Sequence, residues 1–95
     1  MRVRWTPSAL RDLEAIGDYV AMDKPSAASR PVGAIFDRTG LLSRHPQAGR
    51  PGRIAGTREL VVSGTPYVVP YRVRDGEVEI LAVFHGARRW PPALD

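Results

Sequence analysis

The spacing of apolar residues switches from helical to alternating midway along this chain, and that switch limits the folds open to it. Ala9, Leu13, Ile16 and Val20 fall at i, i+4, i+7 and i+11, with Leu10 and Gly17 beside them. That is one stripe of a helix of about four turns. Thr6-Pro7 supplies its start: Thr6 can cap the free N–H groups, and Pro7 suits the first helical position, where no N–H bond is needed. Asp12 and Glu14 lie toward the positive end of the helix dipole, and Asp23-Lys24-Pro25-Ser26 breaks the pattern. Ala28, Val32, Ile35 and Leu42, with Phe36 adjacent, predict a second helix from about Pro25 to Ser43. Pro31 should kink it or displace its start to Val32. The short link folds the two stripes back as an antiparallel hairpin.

Beyond Arg44-His45-Pro46 the helical period is gone. Gln47 to Gly56 is glycine, proline and arginine, which is loop chemistry. Three strand runs follow: Thr57 to Ser63, Tyr67 to Val73, and Glu77 to His85. Gly64-Thr65 closes the first, and Asp75-Gly76 is a hairpin signal between the second and third. The last run alternates, placing Val78, Ile80, Ala82 and Phe84 on one face and Leu81, Val83 and His85 on the other with Glu77 and Glu79. Pro70 cannot donate to a ladder, so the middle run needs a bulge or a free edge there. Arg2 to Trp5 alternates too and reads as a short first strand. The order β-α-α-β-β-β predicts an α+β domain, a helical hairpin packed on a mostly antiparallel sheet.

At 95 residues there is room for one core, so residues 1–95 are expected to form a single domain. With no cysteine, neither a disulfide nor a cysteine-based metal site is possible. Two histidines, His45 and His85, make a structural zinc site an unattractive reading, and no metal or cofactor is expected. Gly49, Gly52 and Gly56 lack the strand, helix and lysine of a nucleotide-binding loop. No apolar run is long enough to span a bilayer, which predicts a cytoplasmic protein without membrane contact. The formal charge is +4, and every basic residue but Lys24 is arginine. Arginine's planar fork matches phosphate or carboxylate, so an anionic partner is one reading; a solvated basic face is the other.

Five segments, taken in order, carry a resemblance. W-T-P-S-A-L-R-D-L-E-A-I with Tyr19, L-L-S-R-H-P-Q-A-G-R-P-G-R, G-T-R-E-L-V-V, P-Y-V-V-P-Y-R-V and I-L-A-V-F-H-G-A-R-R-W together resemble the RelE/ParE superfamily, the toxins of bacterial type II toxin–antitoxin modules. G-T-R-E-L and H-G-A-R-R-W look more like the ParE branch than the RelE branch. The resemblance implies a toxin held in a hetero-oligomer by a ParD-like antitoxin and directed at DNA gyrase by protein–protein contact, without a cofactor. Arg50, Arg53, Arg58, Arg88 and Arg89, with Trp90, would then form the target-binding surface. The antitoxin would dock on Leu10, Leu13, Ile16, Tyr19 and Val20, laying a helix there and adding a strand to the sheet. Leu13 and Ile16 read equally well as core.

The RelE-like alternative is a ribosome-dependent endoribonuclease, which leaves open whether the chain is an enzyme. Such cleavage needs a base, an acid and cations around the phosphate. His85 and Glu59 are the acid–base candidates, and Arg58, Arg72 and Arg88 the phosphate-holding ones. Glu59, Arg58 and His85 would imitate the glutamate–arginine–histidine set of YoeB-like members. The structural alternative is that His85 bonds backbone at a strand end and Glu59 pairs with a neighbouring arginine. Lysines and a terminal tyrosine, typical of RelE-type nucleases, are missing: the one lysine is Lys24 and the last aromatic is Trp90. A degenerate member that binds its antitoxin with little toxicity is a third reading.

Overall fold

The computed structural model describes residues 1–23 and 29–86. Strand β1 (Arg2–Trp5) leads into helix α1 (Pro7–Asp23), followed by α2 (Ser29–Gly40) and a 3-10 turn over Leu41–Ser43. Five strands complete the fold: β2 (Arg50–Pro51), β3 (Arg58–Val61), β4 (Tyr67–Arg74), β5 (Glu77–Ile80) and β6 (Phe84–His85). The sheet order is β1-β5-β4-β3-β2, with β6 pairing β4 beyond the end of β5. Every pairing is antiparallel except β1 with β5, which is parallel. The expected α+β layout is therefore present, with a sheet of six strands.

Helix α1 starts as its sequence requires. Thr6 Oγ1 accepts from the Ala9 amide at 3.2 Å and donates to the Ile80 carbonyl at 2.8 Å, so one hydroxyl caps the helix and ties it to β5. Pro31 falls in the first turn of α2, where its missing N–H costs no hydrogen bond, so α2 begins ahead of Val32. Gly17 of α1 meets Val32 of α2, letting the two helices approach closely. Ala9, Leu13 and Ile35 from the helices and Leu42 from the 3-10 turn share one core with Leu60, Val69, Tyr71, Val78 and Ile80 of the sheet. Both helices thus cover the same sheet face.

The last run is not one strand. In β4–β5 pairing Tyr71 opposes Ile80, whereas in β4–β6 pairing Val68 opposes Phe84. Between them Leu81, Ala82 and Val83 oppose only Val69 and Pro70, a bulge of one extra residue. Pro70 explains its position. The Pro70 carbonyl accepts from the Leu81 amide at 2.9 Å. Its imide nitrogen, on the same side, has no hydrogen to return, so the ladder breaks there. The bulge shifts the alternation by one. Val83 joins the core with Val78 and Ile80, and Phe84 moves to the face opposite, correcting the unbroken alternation expected from sequence. The Val83 amide freed by the bulge donates to Asp12 Oδ2 on α1 at 3.0 Å. The Asp75-Gly76 turn has φ of 52° and 75°, the paired positive angles of a tight two-residue hairpin.

Candidate functional site

Register decides which arginines share a surface. On β4, Tyr67, Val69 and Tyr71 face the helices, so Arg72 and Arg74 face away. Arg72 pairs in register with Glu79 and Arg74 with Glu77, while β1 sets Arg2 against Glu77 and Arg4 against Glu79. Two rows of guanidinium groups therefore flank a central row of carboxylates. Glu79 is 8% exposed and accepts from Arg72 Nε at 2.7 Å and from Arg4 Nη2. The outer pair is looser: among the described residues, Arg2 meets Glu77, and Arg74 meets Asp75, at 3.8 Å.

A second group lies where the glycine- and arginine-rich segment crosses β3. Three side chains from the sheet hold it. Tyr71 Oη accepts from the Gly49 amide at 2.9 Å and donates to the Pro46 carbonyl at 2.8 Å. Arg58 donates to the Gly49 carbonyl at 2.8 Å and reaches that of Gln47 at 3.4 Å. Glu59, only 2% exposed, accepts from Arg50 Nη2 at 3.0 Å and from the Arg53 amide at 3.2 Å. Gly49 is required: a Cβ there would lie 2.7 Å from the Tyr71 ring and 2.9 Å from the Glu59 carbonyl oxygen. Burial pushes the Tyr71 hydroxyl above the usual tyrosine range, partly offset by the Gly49 hydrogen bond and the nearby Arg58 charge.

The residues proposed for catalysis do not converge. Glu59 opposes Pro70 and lies on the face away from the helices, its two oxygens engaged by Arg50 and Arg53. Arg58, one residue earlier, opposes Tyr71 and turns to the other face. His85 opposes Tyr67, edge-on to its ring with centroids 5.9 Å apart. Tyr67 and Tyr71 are four residues apart on β4, roughly 13 Å in an extended strand, which separates His85 from Arg58. Arg72 is engaged by Glu79. Of the target-surface candidates, Arg50 and Arg53 lie together on the crossing segment; Arg88, Arg89 and Trp90 fall outside the described residues.

The antitoxin candidates divide along α1. Leu13 is core at 5% exposed, and Ile16 packs against that core. Leu10 and Tyr19 stand out at 44% and 69% exposed. Val20 lines an open groove of about 430 Å³ with Arg30, Pro31 and Ala34 of α2 and the Ser63–Tyr67 turn. Beside that turn, β2 covers β3 only at Arg58 and Glu59, leaving the outer edge at Leu60 and Val61 without a strand neighbour among the described residues. Asp12, Tyr71, Arg2, Arg4 and Arg74 were not singled out by sequence as site residues. The arginines had a visible signal: R-V-R-D-G-E-V-E closes a two-residue hairpin, which fixes Arg72 and Arg74 opposite Glu79 and Glu77.

Two helices on one face of a mixed six-stranded sheet form a fold that this chain shares with solved chains of toxin–antitoxin systems. The family model described as the ParE toxin of the type II toxin–antitoxin system parDE matches residues 3–90. The chain is 48% identical over 93 residues to the Y4kP protein of Sinorhizobium fredii, spanning 98% of this chain and 96% of that one. It is 42% identical over 87 residues to toxin RelE2 of Caulobacter vibrioides, spanning 92% and 97%. Among solved structures, a chain of the chromosomal ParDE system of P. aeruginosa superposes with a TM-score of 0.83 at 32% identity, covering 90% of this chain and 95% of that one. A chain of the RelBE2 toxin–antitoxin complex of Mycobacterium tuberculosis gives 0.66 at 34% identity, covering 88% and 95%. The protein belongs to the ParE toxin family of type II toxin–antitoxin systems. No helix among the described residues is long and apolar enough to cross a membrane.

Proposed function

We propose that this chain acts in the cytoplasm as a ParE-like toxin, inhibiting DNA gyrase by protein–protein contact and neutralised by a ParD-like antitoxin in a hetero-oligomer. The observation that supports contact over chemistry is the arrangement around Glu59. A general base needs a carboxylate oxygen open to the proton it takes. Glu59 is buried, with one oxygen on Arg50 and the other on the Arg53 amide. Arg58 and His85 are directed elsewhere. In this reading Arg50 and Arg53, with Arg88, Arg89 and Trp90, meet the target, and Arg58 serves by holding the carbonyls of Gly49 and Gln47.

The antitoxin reading rests on exposed apolar side chains on α1 and on an open strand edge. Exposed Leu10 and Tyr19, Val20 at the groove and the open edge at Leu60 and Val61 suit a partner that lays down an amphipathic helix and adds a strand. Leu13 and Ile16 support that surface from within the core.

The relatedness to toxin RelE2 and to the RelBE2 complex favours a second reading, an RNA-cleaving toxin. One paired assay separates the two: gyrase supercoiling and cleavage-complex formation beside messenger-RNA integrity in a translating extract. Gyrase inhibition with intact message is expected. Message cut on the ribosome, and spared by His85→Ala, would replace the first reading with the second.

A further inference from the structure

The arginine rows on β1 and β4 are used neither by the core nor by the proposed target and antitoxin surfaces. We propose that this face, formed by Arg2, Arg4, Arg72 and Arg74, binds the phosphodiester backbone of a nucleic acid. Four guanidinium groups stand beside three carboxylates, those of Glu77, Glu79 and the turn residue Asp75, so the patch keeps a net positive charge. The two carboxylates on β5 are less exposed than the outer guanidiniums: Glu79 is nearly buried and the Glu77 side chain 34% exposed, whereas those of Arg2 and Arg74 are 77% and 60% exposed; Asp75 is exposed at the turn. Over the strands, away from the Asp75 turn, an approaching anion meets the guanidiniums first. Glu79 takes Nε of Arg72 and Nη2 of Arg4, which leaves further N–H donors of each fork for an incoming oxygen.

Geometry and composition favour a phosphate chain over a folded protein. Arg2 and Arg4, like Arg72 and Arg74, are two residues apart on one strand face, roughly 6.8 Å. A stacked nucleic-acid strand advances about 3.4 Å per nucleotide, so one row spans two steps. The rows themselves lie two strand spacings apart, roughly 9.5 Å. Protein interfaces centre on apolar and aromatic anchors ringed by polar groups. The positions on these three strands that face away from the helices between the two arginine rows hold only Glu77 and Glu79, so no such anchor is present.

The test is fluorescence anisotropy of the full chain with a labelled DNA duplex and, separately, a labelled single-stranded RNA, each across a salt series. Arg2→Gln/Arg74→Gln removes the two most exposed guanidiniums and leaves the Arg4–Glu79–Arg72 cluster intact. Arg30→Gln/Arg38→Gln on α2 removes the same charge elsewhere, and circular dichroism checks the fold of each. Expected is binding that weakens steeply between about 50 and 200 mM salt. In the sheet variant the slope of log K against log salt should fall by roughly 1.4–1.8, the loss of two phosphate contacts, while the helix variant keeps the wild-type slope. Binding of only the duplex or only the RNA identifies the source and keeps the proposal. Equal losses in both variants would mean diffuse net charge and overturn it. So would absence of binding at low salt, or equal binding of a poly-glutamate peptide, which would point to an acidic protein instead.

Discussion

Glu59 and Glu79 lie on the same face of one sheet, both buried and both beside two arginines, yet their partners differ in kind. Glu79 accepts only from side chains, Arg4 and Arg72, which stay partly exposed. Glu59 accepts from the Arg50 side chain and from the backbone amide of Arg53, whose guanidinium lies farther off at 3.8 Å. A carboxylate bonded to guanidinium tips sets local charge. One bonded to a main-chain amide also fixes where the chain runs. Glu59 is therefore part of the scaffold that presents Arg50 and Arg53, and Glu79 is part of a charged surface.

Three substitutions on the scaffold side and one on the charged side break or sharpen that contrast. Gly49→Ala should act most strongly, because its methyl meets the Tyr71 ring and the Glu59 carbonyl and must displace one of them. A loss of about 3 kcal/mol is expected in urea denaturation. Glu59→Ala comes next, at about 2 kcal/mol, most of it from the Arg53 amide left without its acceptor. Arg50 is more than half exposed and recovers water, so little of the cost lies in the ion pair. Faster hydrogen exchange at the Arg53 amide, with the helices unchanged, is the local signature. An unchanged exchange rate would refute the scaffold role.

This contrast also marks what the sequence alone could reveal. The helices, the Thr6 cap and the Asp75-Gly76 hairpin were readable, because each follows from local periodicity or turn chemistry. Even the Pro70 irregularity was, since a missing donor must interrupt a ladder somewhere. Which strand would bulge was not: that depends on Leu81 to Val83 finding partners, one of them Asp12, 71 positions away. The same holds for Glu59. Its neighbour Arg58 looked like a companion in catalysis, but consecutive strand residues point to opposite faces. Its real partners come from a segment whose glycines and prolines read only as loop, although Arg50–Pro51 forms a short strand there.

Tyr71→Phe tests the same scaffold from the core side. Without the hydroxyl the Gly49 amide loses its acceptor, and about 1–2 kcal/mol should go with it. The variant also changes the alkaline arm. Burial raises the Tyr71 hydroxyl, so the folded chain keeps a proton that the unfolded chain releases above about pH 10. With fewer protons bound in the unfolded state, stability falls as pH rises through that range. Tyr71→Phe should flatten this decline relative to wild type and leave the neutral range parallel.

Glu79→Gln has the smallest expected cost and the clearest sign. The glutamine keeps an acceptor, and Arg4 and Arg72 are both more than a third exposed, so the loss at neutral pH should stay below about 1 kcal/mol. Salt then separates surface charge from scaffold. In the wild type, ions screen attraction between Glu79 and the two guanidiniums; in the variant they screen repulsion between the guanidiniums themselves. Raising salt from about 20 mM to 0.5 M, which shortens the screening length from roughly 20 Å to about 4 Å, should narrow the stability gap between Glu79→Gln and wild type. The gap for Glu59→Ala should persist, because a backbone hydrogen bond within a buried site is not screened in this way. A Glu79 gap as large and as salt-insensitive as that of Glu59 would mean that both carboxylates are scaffold, and that the arginine rows are held for the sheet rather than for a partner.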